Sequence, residues 1–227
     1  MLFRSDGETT PQLIDVNPGG NSSNPSDFTL VGGTVFFVAN RDGIGRELFR
    51  LDASGTAAPV KDIQPGNGGS FPHSLFVFGS TLYFVANDGV HGDELWQSDG
   101  TAAGTHLARD INNVTLDSGP SNLLDVDGIL YFMASDATLG RGLYAVDPAS
   151  GVPQRLSIPG LSGGNEANID SLVNADGRLY FRSGWSTDDG IYAPLFTIDP
   201  ASRQISRVEG TRNVQNLSHL DGQLLFQ

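Results

Sequence analysis

The stretch ELWQSDGTAAGT, residues 94–105, decides the fold because its first half belongs to an internal repeat. A leucine, an aromatic residue and an aspartate recur together as LFRSD from Leu2, LFRLD from Leu48, LWQSD from Leu95, LYAVD from Leu143 and LFTID from Leu195. Successive copies lie 46, 47, 48 and 52 residues apart. A period of this length is typical of repeat architectures in which each repeat is one supersecondary unit.

Each repeat also contains a tight turn followed by an aromatic segment, as VGGTVFF, FGSTLYF, VDGILYF, ADGRLYF and LDGQLLF. Three of these turns are Asp-Gly, a strong signal for a β-hairpin. No window shows sustained helical periodicity, so each repeat is interpreted as four short strands, a to d. Four strands in roughly 40–50 residues predict the blade of a β-propeller.

The ends of the sequence suggest how many blades are present. The first residues match strand c and the last match strand b, which gives five c–d pairs and five a–b pairs. We therefore predict one all-β domain over residues 1–227, a five-bladed β-propeller with four antiparallel strands per blade. In this prediction the N-terminal c–d pair closes the ring against the C-terminal a–b pair and removes exposed edges. A piece of a longer repeat array is the alternative.

The run from Glu94 to Thr105 resembles the ELWxxDGT repeat, a family found in large bacterial proteins of the cell surface or the extracellular space. The second repeat matches the pattern closely, and the others are degraded, as in ELFRLDASGT. The resemblance covers essentially the whole chain. It implies a propeller and an extracellular or cell-surface location, although MLFRSDGETT is not a signal peptide. It implies no catalytic residues.

Composition excludes several classes of function. The formal net charge is −13, and a surface of that sign repels the phosphate backbone, which argues against nucleic acid as a partner. There is no cysteine, so disulfides, thiolate metal sites and cysteine nucleophiles are excluded. No apolar run reaches the length of a membrane span, so no membrane insertion is expected.

Residues that recur in every repeat are interpreted as scaffold. The aromatic position is expected to fill the space between neighbouring sheets, where large rings bury much apolar area. The aspartate position is expected to accept backbone N–H bonds of a turn. These two positions are Phe3, Phe49, Trp96, Tyr144 and Phe196, and Asp6, Asp52, Asp99, Asp147 and Asp199.

Candidate binding residues are expected on the face that carries the b–c and d–a connections, which the spacing predicts to be longer than the a–b turns. The insertion RSGWSTDDGIYAP is three residues longer than its counterparts. Its Trp185, Asp188, Asp189 and Tyr192 form either a platform for sugar stacking or a local lid.

The b–c segments ANRDGIGRE and ANDGVHGDE supply a second group of candidates. Their carboxylates and amides could bind Ca²⁺ or sugar hydroxyls, or could form Asx turns instead. The polar residues of the two segments are Asn40, Asp42, Arg46, Glu47, Asn87, Asp88, His91, Asp93 and Glu94. Among them Asp42, Asp88 and Asp93 are the metal candidates, and His91 is a ligand candidate. Their spacing lacks the order of a calcium loop, so Ca²⁺ is only a weak expectation and no other cofactor is predicted. A lone His91 makes a zinc site improbable.

A third group precedes strand a, where a small polar residue recurs. It comprises Asp27, Ser74, Asn122, Ser171 and Asn216, with the flanking residues Ser26, His73, Ser121, Asp170 and Gln215. These groups, including the ligand candidates His73, Asn122 and Asn216, could line a pocket or cap the loop backbone.

Three functions remain open at this stage. The first is a non-enzymatic binding module for a glycan or a surface protein, either glycan-binding or adhesive. The second is a glycoside hydrolase, which needs two carboxylates across the scissile bond. Asp27, Asp125, Asp170 and Glu166 are the acids near strand a. The third is a structural propeller that docks proteins. Oligomeric state is not predicted.

Overall fold

The computed structural model describes residues 2–5, 7, 10–113, 116–159, 169–187, 190–199 and 202–227. Within these ranges every regular element is a β-strand and every strand pairing is antiparallel, which confirms the all-β prediction. The same residues contain no helix that could cross a lipid bilayer.

Four sheets have four strands each, as the repeats predict. In three of them the strands follow one another in chain order, and in the fourth a short hairpin is inserted between the second and third strands. The sheets are β3 Ser26–Val31, β4 Thr34–Arg41, β5 Gly45–Leu51 and β6 Ala57–Pro59; β7 His73–Phe78, β8 Thr81–Asn87, β9 Asp93–Ser98 and β10 His106–Arg109; β11 Ser121–Val126, β12 Ile129–Asp136, β13 Gly140–Val146 and β14 Pro153–Arg155; and β15 Ile169–Ala175, β16 Arg178–Ser183, β19 Leu195–Ile198 and β20 Ile205–Arg207.

Three further sheets have two strands in the described residues. They are β1 Leu2–Arg4 with β2 Gln12–Ile14, β17 Trp185–Thr187 with β18 Gly190–Tyr192, and β21 Ser218–Leu220 with β22 Gln223–Leu225. The first and last of these match the predicted N-terminal c–d pair and C-terminal a–b pair.

The a–b hairpins form as the Asp-Gly signals predict. Asp127 and Asp176 have φ values of 53° each, and Gly128 and Gly177 follow with 71° and 72°. Two successive positive φ angles are the geometry of a type I′ turn, which matches the twist of the strands that it joins.

The chain divides into two compact units. Unit 1 is Met1–Asp110 with Thr115–Asp117, and unit 2 is Ile111–Val114 with Ser118–Gln227. In unit 1 the first strands of consecutive sheets, β3 and β7, contact each other, and in unit 2 β15 contacts both β11 and β21. Within each unit, therefore, the a strands of successive repeats are neighbours, as they are in consecutive propeller blades.

Apolar side chains from consecutive sheets meet in shared cores. In unit 1, Phe36 and Leu48 pack in one cluster with Phe84 and Trp96 of the following sheet. Phe37, which follows Phe36 in the strand, packs in another cluster with Ile14 of β2. Alternate residues of one strand thus serve two cores, because successive side chains point to opposite faces of a sheet.

Unit 2 has a corresponding core. Tyr131 and Leu143 of one sheet pack with Phe181 and Phe196 of the next, and all four are buried. The rings of Phe181 and Phe196 stack with centroids 5.4 Å apart. Burial of the repeated aromatic position confirms its scaffold role for Phe49, Trp96, Tyr144 and Phe196.

Candidate functional site

The repeated aspartates cap turns, as predicted. The Asp52 carboxylate accepts the Thr56 N–H at 2.9 Å, and Asp99 accepts the Thr101 N–H at 2.8 Å. The Ser54 hydroxyl is the main group that holds the pKa of Asp52 below its usual value, and the Thr101 N–H does the same for the pKa of Asp99. Asp147 and Asp199 accept N–H groups in the equivalent turns, whereas Asp6 lies outside the described residues.

The glutamate of the ELW motif, which the sequence analysis grouped with the candidate ligands, has a structural role instead. Glu47 is fully buried, and its carboxylate accepts the N–H groups of Gln64 at 3.2 Å and Ser70 at 2.9 Å. The Ser70 hydroxyl donates to the same carboxylate at 2.5 Å. Burial raises the pKa of Glu47, and these hydrogen bonds oppose the rise in part. Glu47 therefore fastens the following d–a loop to strand c, and Glu94 is buried at the equivalent position.

The first b–c connection is longer than the a–b turn before it, as predicted, but it is much shorter than the nine-residue segment ANRDGIGRE. β4 ends at Arg41 and β5 begins at Gly45, so the first b–c connection is three residues long, Asp42–Ile44. The strands continue through the polar residues that the sequence analysis placed in loops, because Asn40 and Arg46 still pair across the hairpin. The d–a loops are thus the long connections of the candidate face.

Backbone crowding explains why a glycine stands two residues before Glu47 and two residues before Glu94. A Cβ added at Gly45 would lie 2.5 Å from the backbone nitrogen of Gly69, and Gly45 has a φ of +75°. Gly92 has a φ of +78° and approaches the backbone of Leu116 and Asp117 in the same way. At these two glycines the b–c turn lies directly against the d–a loop that follows it in the chain.

The polar residue before strand a has a special backbone conformation in every repeat, and a pocket formed by these residues stays a prediction. Asp27, Ser74, Asn122, Ser171 and Asn216 all have φ between 52° and 57°. In the β3–β4, β7–β8, β11–β12 and β15–β16 pairs the register between the two strands shifts at this residue. The residue is therefore the one in the left-handed conformation at a β-bulge. Small polar side chains tolerate that conformation better than bulky ones.

The other predicted residues on this face form local contacts. His73 Nε2 lies 3.9 Å from an Asp93 carboxylate oxygen, and His91 Nδ1 lies 2.7 Å from that of Asp88. The hydrogen bond that the protonated His91 ring donates to the Asp88 carboxylate raises the pKa of His91. Asn216 donates its side-chain N–H to Gln227 Oε1 at 3.1 Å.

The metal candidates are engaged in hydrogen bonds. Asp42 accepts the Asn21 amide at 3.1 Å, Asp88 accepts the Val90 and His91 N–H groups at 2.9 Å each, and Asp93 accepts the Asn87 amide at 3.2 Å. In the described part of the chain no three His, Asp or Glu side chains gather as metal ligands. Binding of Ca²⁺ stays a prediction.

The insertion of the fourth repeat forms its own hairpin, in which Trp185 pairs with Tyr192. The Arg207 guanidinium lies 5.2 Å from the centre of the Tyr192 ring. Asp188 and Asp189 lie outside the described residues, as does Glu166. The sugar-platform hypothesis for this hairpin stays a prediction.

A Ser-x-Pro triplet in the d–a loops was missed by the sequence analysis, although it recurs at Ser23–Pro25, Ser70–Pro72 and Ser118–Pro120. In each case the serine carbonyl accepts an N–H from strand b at 2.7–3.0 Å, and the serine is buried. The middle residue is left-handed in all three, with φ of 40° at Asn24, 49° at Phe71 and 53° at Gly119.

Phe71 is unusual at this position. Asparagine and glycine are the residues that adopt positive φ most readily, whereas a bulky aromatic residue is strained there. Phe71 is nevertheless 59% exposed, so its ring contributes little to the core. Strained backbone positions of this kind are enriched at binding and catalytic sites.

Phe71 lines a cleft in unit 1 with a volume of about 330 Å³. The polar side chains around it come from the end of β4, the first b–c turn, the start of β5 and two d–a loops. They include Asn21, Asn40, Arg41, Asp42, Arg46 and Asn67. A second cavity of about 260 Å³ adjoins it and shares Asn17, Asn21 and Ser22. This amide-rich cleft with an exposed ring is the candidate site.

No protein-family model matches the chain, and no curated protein sequence matches it significantly. Among solved structures, a prolyl endopeptidase is similar over 80% of this chain and 25% of its own, with 10% identity and a TM-score of 0.48. A puromycin-hydrolysing peptidase of Mycobacterium tuberculosis is similar over 95% of this chain and 35% of its own, at 11% identity and a TM-score of 0.45.

An α-L-arabinofuranosidase from Clostridium thermocellum is similar over 88% of this chain and 79% of its own, at 12% identity and a TM-score of 0.35.

The chain spans about a third or less of the length of the two peptidases. Similarity this distant carries no argument about activity, since one architecture hosts many unrelated functions.

Proposed function

We propose that the chain is a non-enzymatic binding module and that the cleft beside Phe71 in unit 1 binds carbohydrate. The observation that carries the proposal is the conformation of Phe71. A left-handed, exposed phenylalanine stands where the equivalent loops have Asn24 and Gly119. The ring gains little from burial, so a contact outside the chain is the simplest reason for its presence.

The chemistry of the cleft suits a sugar. Asparagine amides both donate and accept hydrogen bonds, which matches hydroxyl groups that do the same. An exposed aromatic ring can pack against the apolar face of a pyranose. The cleft is shallow and polar, whereas sites for most small organic ligands are lined mainly by apolar side chains.

The hydrolase alternative has less support. Asp170 forms an ion pair with Arg182, and Asp125 accepts the Gly128 N–H in the a–b turn at 3.1 Å. Each of these two carboxylates therefore has a partner within unit 2. Asp27 accepts the Ser26 hydroxyl at 2.7 Å. Glu166, the one glutamate of that hypothesis, lies outside the described residues.

The proposal includes the five-bladed ring, with the β1–β2 pair and the β21–β22 pair completing one blade. Two-stranded sheets with exposed edges support it, because an isolated hairpin is only marginally stable. Deletion of residues 1–14 should then increase hydrogen exchange in residues 218–225. Unchanged hydrogen exchange in residues 218–225 would contradict closure of the ring.

An extracellular or cell-surface location is part of the same proposal.

The Phe71→Asn variant tests the binding site. Asparagine occupies the equivalent position in the first repeat, so the substitution should leave stability unchanged or raise it by about 1 kcal/mol through relief of strain. On a glycan array, F71N should lose the binding shown by the unmodified chain. F226N removes another exposed phenylalanine and should bind normally.

Two outcomes would contradict the proposal. One is an unmodified chain that binds no glycan on the array, with or without calcium. The other is an F71N variant that binds sugar as well as the unmodified chain does, because Phe71 would then have no part in the site. A marked loss of stability in F71N would show that the ring serves the fold instead.

A further inference from the structure

We infer that the ligand of this cleft is an acidic glycan, whose carboxylate or sulfate group pairs with Arg41. The inference rests on the proposed function and specifies its ligand class. It is drawn from the distribution of charge and hydrogen bonds around the cleft, which differs from that of the chain as a whole.

The cleft is locally positive in an acidic protein. Its charged lining residues are Arg41, Arg46 and Asp42, which together carry one net positive charge, whereas the whole chain carries −13. The lining of the cleft therefore offers an anion two nearby cationic groups in a chain that is acidic as a whole.

Asp42 is occupied by its neighbours. Its carboxylate accepts the Asn21 amide at 3.1 and 3.2 Å and the Asn17 amide at 3.4 Å, and its N–H donates to Asn17 Oδ1 at 2.9 Å. These bonds tie the first b–c turn to the d–a loop that precedes β3. Asp42 thus orders the wall of the cleft, and its carboxylate accepts hydrogen bonds from neighbouring side-chain amides.

The two arginines are used differently. Arg46 donates to the Asn24 carbonyl at 3.1 Å and to the Ser26 hydroxyl at 2.6 Å, so its guanidinium is fixed in place. Across the described residues, the Arg41 side chain has no hydrogen-bond or ion-pair partner. Arg41 is at the end of β4 and lines the cleft, where its guanidinium fork remains available. That fork matches a carboxylate or sulfate geometrically.

Phe71 and Arg41 would then act together. The ring would pack on one face of a sugar residue, and the guanidinium would bind the acidic substituent. Neutral sugars should still bind through the ring and the amides, but more weakly. Arg41 is a specificity residue in this arrangement, and Phe71 supplies affinity for both kinds of ligand.

Two matched pairs of polysaccharides test the inference with the unmodified chain. Polygalacturonate is compared with highly methyl-esterified pectin, and dextran sulfate with dextran. The two pairs distinguish carboxylate from sulfate as the favoured group. At least one acidic member should bind about fivefold more tightly than its neutral partner, the size expected for one partly exposed ion pair. About 0.5 M salt should reduce that preference and leave neutral binding unchanged.

The Arg41→Gln variant should bind acidic and neutral members equally. R50Q is the matched control, since Arg50 is an exposed arginine of the neighbouring strand outside the cleft lining and the charge change is the same. The R50Q variant should keep the preference for acidic over neutral polysaccharides. Thermal melting of both variants confirms that they are folded.

The failure of this inference differs from the failure of the proposed function. Binding of neutral polysaccharides with no preference for acidic ones, or an R41Q variant that keeps the preference, would overturn the role of Arg41 and leave the glycan site standing. Loss of all binding in F71N together with an acid preference in R50Q but not in R41Q would support both.

Discussion

Unit 1 and unit 2 secure the same point of the repeat by different chemistry. In unit 1 the residue before the motif leucine is a buried glutamate, Glu47 or Glu94. In unit 2 the equivalent residues are Gly142 and Pro194. A buried carboxylate holds the loop in the first case, and an arginine guanidinium and a threonine hydroxyl lie near the equivalent positions in the second.

The replacements in unit 2 are visible in detail. A Cβ added at Gly142 would lie 2.3 Å from Arg155 Cζ, so the Arg155 guanidinium fills the space beside the glycine. Arg155 donates to the carbonyls of Gly140 at 2.9 Å and Leu139 at 3.1 Å. Beside Pro194, the Leu195 N–H donates to the buried Thr211 hydroxyl at 3.1 Å. Backbone groups near this position are thus hydrogen-bonded to side chains in both units, and the side chain that binds them is acidic only in unit 1.

The largest effect should come from removing the carboxylate of unit 1. Glu47→Ala leaves two N–H groups and a hydroxyl without their acceptor in a buried place, and we expect a loss of about 3 kcal/mol. Urea unfolding followed by Trp96 fluorescence in a W185F background would measure it for unit 1. Glu209→Ala removes an exposed glutamate and should change little. If E47A and E209A lowered the free energy of unfolding equally, the buried carboxylate of Glu47 would have no special role in unit 1.

An intermediate effect is expected at the unit 2 counterpart. Gly142→Ala forces the Arg155 side chain to move, and the overpacking should destabilise by about 1–2 kcal/mol. The same substitution in an R155A background should have almost no effect, because the obstructing group is gone. Thermal or urea unfolding of the four variants gives the coupling. Additive effects would mean that Arg155 does not occupy this space.

The smallest effect concerns pH. The pKa of Glu47 is raised in the folded chain, so its contribution to stability is fully present below the unfolded pKa and is lost as pH rises through the folded pKa. The stability of the unmodified chain relative to E47Q should therefore fall from about pH 4 towards pH 7. Urea midpoints of both variants measure this, since all other titrating groups are shared and cancel. A relative stability that rises with pH would contradict the buried environment of Glu47.

Much of the fold could be predicted from local patterns. The four-stranded repeats, the type I′ turns at Asp127 and Asp176 and the capping role of Asp99 each depend on residues within a few positions of one another. Alternation and turn chemistry act over that range. The b–c connections are shorter than the polar segments assigned to them, because strand ends depend on pairing with a partner, which spacing alone does not show.

The candidate site was less accessible to prediction. The sequence analysis identified Asn40, Asp42 and Arg46 of the cleft lining. It placed the sugar platform in the fourth repeat, however, and did not consider Phe71. The Ser-x-Pro triplet was present in three loops and could have revealed that Phe71 replaces an asparagine and a glycine. Its significance appears only once the backbone of that triplet is known to be left-handed.

The sequence by itself determined the repeat, its strands, its turns and the aromatic positions of the core, since these follow from short-range spacing and alternation. The tertiary structure alone decided that Glu47 is buried under the next loop, that Phe71 is left-handed and exposed, and that Arg41 lines a cleft with Asp42. These features arise where segments some twenty residues apart meet. Burial, strain and local charge belong to such contacts and not to any single stretch of chain.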